Sequence, residues 1–409
     1  MNKNENEKIL NECEGEFTFT GKCPSCGHEF TCSAVSGGDT GSGGDTGSGG
    51  DTGSGGDTGS GGDTGSGGDT GGGGDTGGGG DTGVAGENKL AVVYYTSWGI
   101  ANLDFSQLSP HISHLNLSFG LFSKVGANFV VTGSDGLLKY NSSNVPKETW
   151  WIEPEYLGWV KYKYNNPNTK IMLSMGGATY GYMWDYLDSA SNLDGIVKAM
   201  QKVLQEKYPV MIKNKSGQYD LVSYVTLDGI DFDFEMGQAS SEVKCKNLAL
   251  LIEKLKLLMP NKLISVTGLH VAADPKTCIT TAGANCSYVG SAHSGELIPF
   301  FTALKSEYIS HFNIMAYDAG KNYKWDIALA NHAKYLPKNK IVLGLSIGTQ
   351  WGPDANFVEG MTELSARVIK QRTLGFGGIM IWAVVASGVS DKTALANTNT
   401  LVNQLNSLA

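Results

Sequence analysis

The stretch Leu227-Asp228-Gly229-Ile230-Asp231-Phe232-Asp233-Phe234-Glu235 decides the reading of this chain, because carboxylates recur at every second position with apolar residues between them. In a β-strand, successive side chains point to opposite faces. Asp231, Asp233 and Glu235 then share one face, and Ile230, Phe232 and Phe234 the other. At roughly 3.3 Å of rise per residue, neighbouring carboxylates stand about 7 Å apart along one line. The Ile/Phe face is too apolar for water, and a polar edge strand would have no use for it. Both faces must therefore be enclosed, as in a barrel strand that carries acid chemistry at its end.

Around this strand, short apolar runs alternate with helical stretches from about Leu90 onward. Candidate strands begin near Leu90, Ile112, Lys170, Tyr224, Leu263, Ile309, Ile341 and Gly378. Helical spacing of apolar residues marks 193–206, 243–259 and 364–372. Eight βα units of this kind predict an α/β fold, a (β/α)8 TIM barrel spanning 87–409. In such barrels the chemistry sits at the C-terminal strand ends. Glu235, last in its row, reaches the mouth, and Asp233 and Asp231 lie progressively deeper. Like charges beneath Glu235 are expected to raise its pKa, as a proton donor at neutral pH requires. Asp233 and Asp231 are expected to titrate together. The strand end Leu343 to Gln350 offers no second carboxylate, so Asp318 is the remaining candidate for an enzyme nucleophile.

Composition divides the rest. Residues 36–86 repeat Gly-Gly-Asp-Thr-Gly-Ser, with Asp39, Asp45, Asp51, Asp57, Asp63, Asp69, Asp75 and Asp81 six apart. Such a segment buries no apolar surface and is expected to be a disordered, self-repelling linker. A calcium-binding roll would need a longer period and regular aliphatic residues, and a phosphate loop would need a Lys after the glycines. The net charge of −9 comes from this linker and the acidic N-terminus, leaving 87–409 at about +2. Nothing there points to nucleic acid or an anionic membrane as partner, and no apolar run is long enough to span a bilayer. The polar start Met1 to Lys8 lacks the apolar core of a secretory signal, so export by that route is not expected.

Residues 1–35 hold Cys13, Cys23, Cys26 and Cys32 in a segment too small for its own core. Cys23-Pro24-Ser25-Cys26-Gly27-His28 resembles a zinc knuckle, with Cys13, Cys32 and His28 as further ligand candidates. Structural zinc, disulfides and an unfolded tail all remain open there. Cys245, Cys278 and Cys286 leave an odd total, which is not a complete disulfide framework.

Asp228, Asp231, Asp233 and Glu235 together resemble the DxxDxDxE signature of glycoside hydrolase family 18 chitinases. Ser174-Met175-Gly176-Gly177 is similar to that family's SxGG motif, Met315-Ala316-Tyr317-Asp318 to its MxYD motif, and Trp382 to the aromatic that closes strand eight. The four segments stand in the family's order. The resemblance implies a chitinase acting on β-1,4-linked N-acetylglucosamine with retention and without a catalytic cofactor, its catalytic domain a monomer working outside the cell. Glu235 would be the general acid, Asp233 would orient the substrate's acetamido N–H, and Tyr317 would donate to the acetamido oxygen. Trp382 would floor the −1 subsite, and Tyr94 and Ser174 would bond the deep Asp231. The substrate's own acetamido oxygen would be the nucleophile. Tyr95, Trp98, Trp184 and Trp351 are further candidates for stacking on sugar. Ala178 stands where many relatives have Trp. The 317–382 interval is too short for the family's large α+β insertion, so a shallow groove is expected. An endo-β-N-acetylglucosaminidase and a non-catalytic lectin on the same barrel are the alternatives.

Overall fold

A computed structural model describes residues 17–22, 29–34, 89–98, 104–140, 154–350 and 357–408. Two short strands, β1 (Phe17–Lys22) and β2 (Glu29–Ala34), pair antiparallel with Phe19 opposite Cys32. Cys13, Cys23, Cys26, His28 and the 36–86 repeat lie outside the described residues, as does the Cys32 side chain.

The remainder is a (β/α)8 barrel. Its strands are β3 (Leu90–Thr96), β4 (His114–Val125), β6 (Lys170–Gly176), β9 (Gly229–Phe234), β10 (Leu263–Leu269), β11 (His311–Met315), β12 (Ile341–Ser346) and β13 (Gly378–Trp382). All eight are parallel, and pairing of β3 with both β13 and β4 closes the ring. Strand β5 (Asn128–Gly133) folds back on β4. A separate hairpin, β7 (Tyr208–Lys213) with β8 (Tyr219–Val225), precedes β9.

Every residue of β9 is buried, as expected of a parallel strand covered on both faces. Ile230, Phe232 and Phe234 point outward into the layer between sheet and helices, where removing each from water contributes about 1.5–3 kcal/mol. Helix Leu193–Gln205 offers that layer Leu193, Ile196, Val197, Met200, Val203 and Leu204. Helix Glu242–Leu258 begins where the Ser241 hydroxyl accepts the Lys244 amide, and buries Cys245, Leu248, Ala249, Ile252 and Leu255 at helical spacing.

The fourth barrel strand starts at Gly229, five residues after the expected Tyr224. Tyr224 belongs to β8, where it is exposed and pairs with Pro209. Residues 219–225 alternate between half-buried and exposed, as a half-exposed hairpin strand does, whereas β9 is buried throughout. Cys278 and Cys286 form a disulfide in the segment after β10, and Cys245 is free and buried.

Candidate active site

Parallel register puts the inward residues of neighbouring strands at the same height. Ser174 on β6 and Ser265 on β10 flank Asp231, and Gly176 and Thr267 flank Asp233. Asp231 is fully buried, and hydroxyls converge on it. Tyr94 (2.8 Å) and Ser174 (2.7 Å) donate to Oδ2, and Ser265 (2.6 Å) and Thr267 (3.2 Å) to Oδ1. Burial raises its pKa above the ordinary carboxylate range while these hydroxyls pull it back.

One layer up, Asp233 is 2% exposed and its Oδ1 has no hydrogen-bond partner among the described residues. Burial pushes its pKa well up, and the charges of Glu235 and then Asp231 push it further. Glu235 follows the last residue of β9 at the barrel mouth and is only partly exposed. Its pKa is raised to about 7, first by burial, then by the Asp318 carboxylate; the Ala178 amide, hydrogen-bonded to it, opposes the shift. The repulsion between Asp233 and Glu235 is as expected of the row; burial and the Asp318 carboxylate, from the loop after β11, are the contributions that the row alone does not show.

The double glycine gives this corner its shape. Gly176 (φ +111°) and Gly177 (φ +69°) take conformations that side chains disfavour. A Cβ on Gly176 would strike the Asp233 carbonyl, and one on Gly177 the Phe119 ring. Gly177 N–H instead donates to the Asp233 carbonyl at 3.0 Å, locking β6 to the acid strand.

Met315 ends β11, buried, and Tyr317 follows two residues on with its hydroxyl held well above its ordinary pKa by burial and then by Asp233. It therefore stays a proton donor at every working pH. Asp318 takes φ +59°, its amide donates to Gln350 Oε1, and its carboxylate acts on Glu235. Trp382, at the end of β13, meets Tyr94 edge-on at 5.4 Å, lies nearly parallel to Phe119 at 5.9 Å, and has Trp98 beside it at 6.2 Å.

The structure thus gathers Tyr94, Ser174, Gly176, Gly177, Asp231, Asp233, Glu235, Tyr317 and Trp382 at the C-terminal end of the barrel. Asp228 stands apart at the base of β9, accepting the Ile171 amide at 2.8 Å and pairing with Lys163 at 2.9 Å. Two expected stacking residues are elsewhere. Tyr95 faces outward, stacked on Phe105 with its hydroxyl on the Glu155 carbonyl. Trp184 is wholly buried against Phe232 and Phe234. Both were chosen for residue type, and strand alternation or core packing claims them. Trp351 lies outside the described residues. Ser265, Thr267, Phe119 and the Ala178 amide were not anticipated. The alternating Ser-Val-Thr of β10 was the available signal for the first two. No group of three or more His, Cys, Asp or Glu suited to a metal occurs among the described residues.

Residues 91–360 match the sequence model of Glycosyl hydrolases family 18. The chain belongs to that family. No curated protein matches the sequence. Among solved structures, the Group II chitinase catalytic domain 2 of Ostrinia furnacalis aligns at TM-score 0.51 and 14% identity, over 78% of this chain and 97% of the other. Chitinase B of Arthrobacter TAD20 aligns at 0.51 and 13%, over 78% and 95%. A chitinase-like agglutinin of Robinia pseudoacacia aligns at 0.49 and 14%, over 76% and 99%. At these identities the two alignments at 0.51 speak for the shared barrel fold alone.

Proposed function

We propose that the family 18 domain hydrolyses β-1,4-linked N-acetylglucosamine chains with retention, the substrate's acetamido oxygen serving as nucleophile. The observation that carries this reading is the contrast between two buried acids. Asp231 has four hydroxyls on it, whereas Asp233, the next acid toward the mouth, keeps a buried oxygen with no partner among the described residues. An unsatisfied buried acceptor costs about 1–3 kcal/mol, and an acetamido N–H would satisfy it.

In the first step the acetamido oxygen bonds to the anomeric carbon as the glycosidic bond breaks, and Glu235 gives its proton to the departing oxygen. Asp233 holds the N–H and balances the positive charge of the oxazolinium ring. Tyr317 donates its hydroxyl to the acetamido oxygen, and Trp382 supplies an apolar floor. In the second step the Glu235 carboxylate takes a proton from water, which attacks the anomeric carbon from the side the leaving group vacated as the bond from that carbon to the acetamido oxygen breaks and the acetamide is restored. A pKa of about 7 suits a group that gives a proton and takes one back in the same cycle.

A second reading, cleavage of the chitobiose core of N-glycans, draws support from the mouth. Between Tyr317 and Trp382 the described residues add only helix Trp325–His332, the short 3-10 helix Lys338–Lys340, β12 and helix Met361–Thr373, which leaves room for a branched substrate. Chitin oligomers and a high-mannose glycopeptide incubated side by side with the protein separate the two. Glu235→Gln removes the proton and keeps the shape, so hydrolysis should vanish while oligosaccharide binding stays within about tenfold. Turnover above a few per cent of the parent rate would remove Glu235 from its role. Binding without turnover by the parent protein would make it a lectin.

A further inference from the structure

The segment 270–297 leaves β10 beside the acid strand and is pinned in place. The Cys278–Cys286 disulfide closes its middle. The buried Asp274 accepts the Ser287 amide and hydroxyl and the Asn331 side chain. At its far end stands Glu296, 7% exposed. Its Oε2 lies 2.9 Å from His293 Nδ1 and accepts the Ser240 amide at 3.2 Å, and its carbonyl accepts the Cys245 thiol. Ser240 is five residues past Glu235, and its hydroxyl rests on the sulfur of Met236, the residue next to the acid.

A buried carboxylate close to a carboxylic acid is costly unless paired. The fold has no evident need of it, because Ser241 already caps the following helix. We propose that Glu296 and His293 form a positioning pair for the acid: Glu296 ties the segment leaving Glu235 to the β10 loop, and His293, 19% exposed at the mouth, supplies when protonated the positive charge that balances Glu296. This rests on Glu235 being the acid.

The groups facing His293 are Glu296, Glu235 and His270. The hydrogen bond that Glu296 accepts from the ring raises the pKa of His293 first; burial opposes, and the charges of Glu296 and Glu235 add to the rise. Burial holds His270 down to about 4, so it is neutral at working pH. Glu296 pushes the Glu235 pKa up, and His293 pulls it down by less. With His293 protonated the pair is near balance. Once His293 is neutral, the Glu296 charge faces Glu235 alone, and the acid keeps its proton to higher pH.

The two members should therefore move the acid in opposite directions. His293→Gln should shift the alkaline limb of kcat/KM upward by about 0.3–0.8 pH units, and Glu296→Gln should shift it downward by a similar amount. The titration midpoint of Glu235, read by 13C-carboxyl NMR and assigned by loss of the signal in Glu235→Gln, should move with it. Unmoved midpoints alongside lowered kcat, or shifts of one sign in both variants, would overturn the pair. If Glu296→Gln does not fold, His293→Gln alone decides, and an unchanged midpoint rejects the proposal. A parent protein that cleaves neither oligomer nor glycopeptide would defeat the functional reading, whereas the NMR midpoint would still report on the pair.

Discussion

Asp233→Asn should make the protein more stable and far less active. The parent carboxyl is 2% exposed, has one oxygen without a partner among the described residues, and sits between Asp231 and Glu235. Its pKa is raised, so relative to the unfolded chain it contributes nothing below the ordinary carboxylate range, where both states are protonated. As pH rises past that range, it destabilises the folded state increasingly, up to its raised native pKa. Asn keeps the shape and carries no charge. Removing a buried charge and its repulsion from two acids should gain roughly 1–3 kcal/mol at pH 7, or about 2–6 °C in Tm for a domain of this size. The same change removes the group that holds the acetamido N–H, which should lower kcat by on the order of 10² or more. Thermal melts at pH 7 and pH 4, with kcat on a chito-oligomer, check both halves. A variant less stable than the parent at pH 7, or equally shifted at the two pH values, would refute the reasoning, since the gain must shrink as Asp233 becomes protonated in the unfolded chain as well.

Two further outcomes follow from the geometry. The kcat/KM profile should fall about tenfold per pH unit above roughly pH 7, because Glu235 must be protonated to act and its pKa is raised to about 7; a profile flat to pH 9 would assign the acid elsewhere. Gly177→Ala places a Cβ at φ +69° against the Phe119 ring, and should cost about 1–3 kcal/mol of stability and loosen the Trp382 floor, raising KM; urea titration together with steady-state kinetics would detect both effects.

The acid row was legible from sequence because its meaning is local. Alternation alone sends Asp231, Asp233 and Glu235 inward and Phe232 and Phe234 outward, whatever the neighbouring strands do. The helix at 193–205 was legible for the same reason, its apolar period being complete within the segment. Ser265 and Thr267 were not, because a Ser-Val-Thr run becomes an acid cradle only when register sets it beside β9. The part Asp318 plays in the Glu235 shift was hidden similarly: it lies 83 residues along the chain and comes near through barrel closure. Tyr224 misled because a half-exposed hairpin strand carries the same β-branched and aromatic residues as a barrel strand, and only burial on both faces separates them. Trp184 and Tyr95 misled because an aromatic suited to a sugar face is equally suited to a core.

Substrate assistance is tested most directly by comparing cleavage of an N-acetylglucosamine oligomer with that of the glucose oligomer of identical linkage and length. The glucose chain lacks the acetamido nucleophile and leaves Asp233 with nothing to hold, so no cleavage of it should be measurable while the chito-oligomer is hydrolysed with retention. Equal cleavage of the two would contradict the mechanism and transfer the nucleophile's role to Asp318.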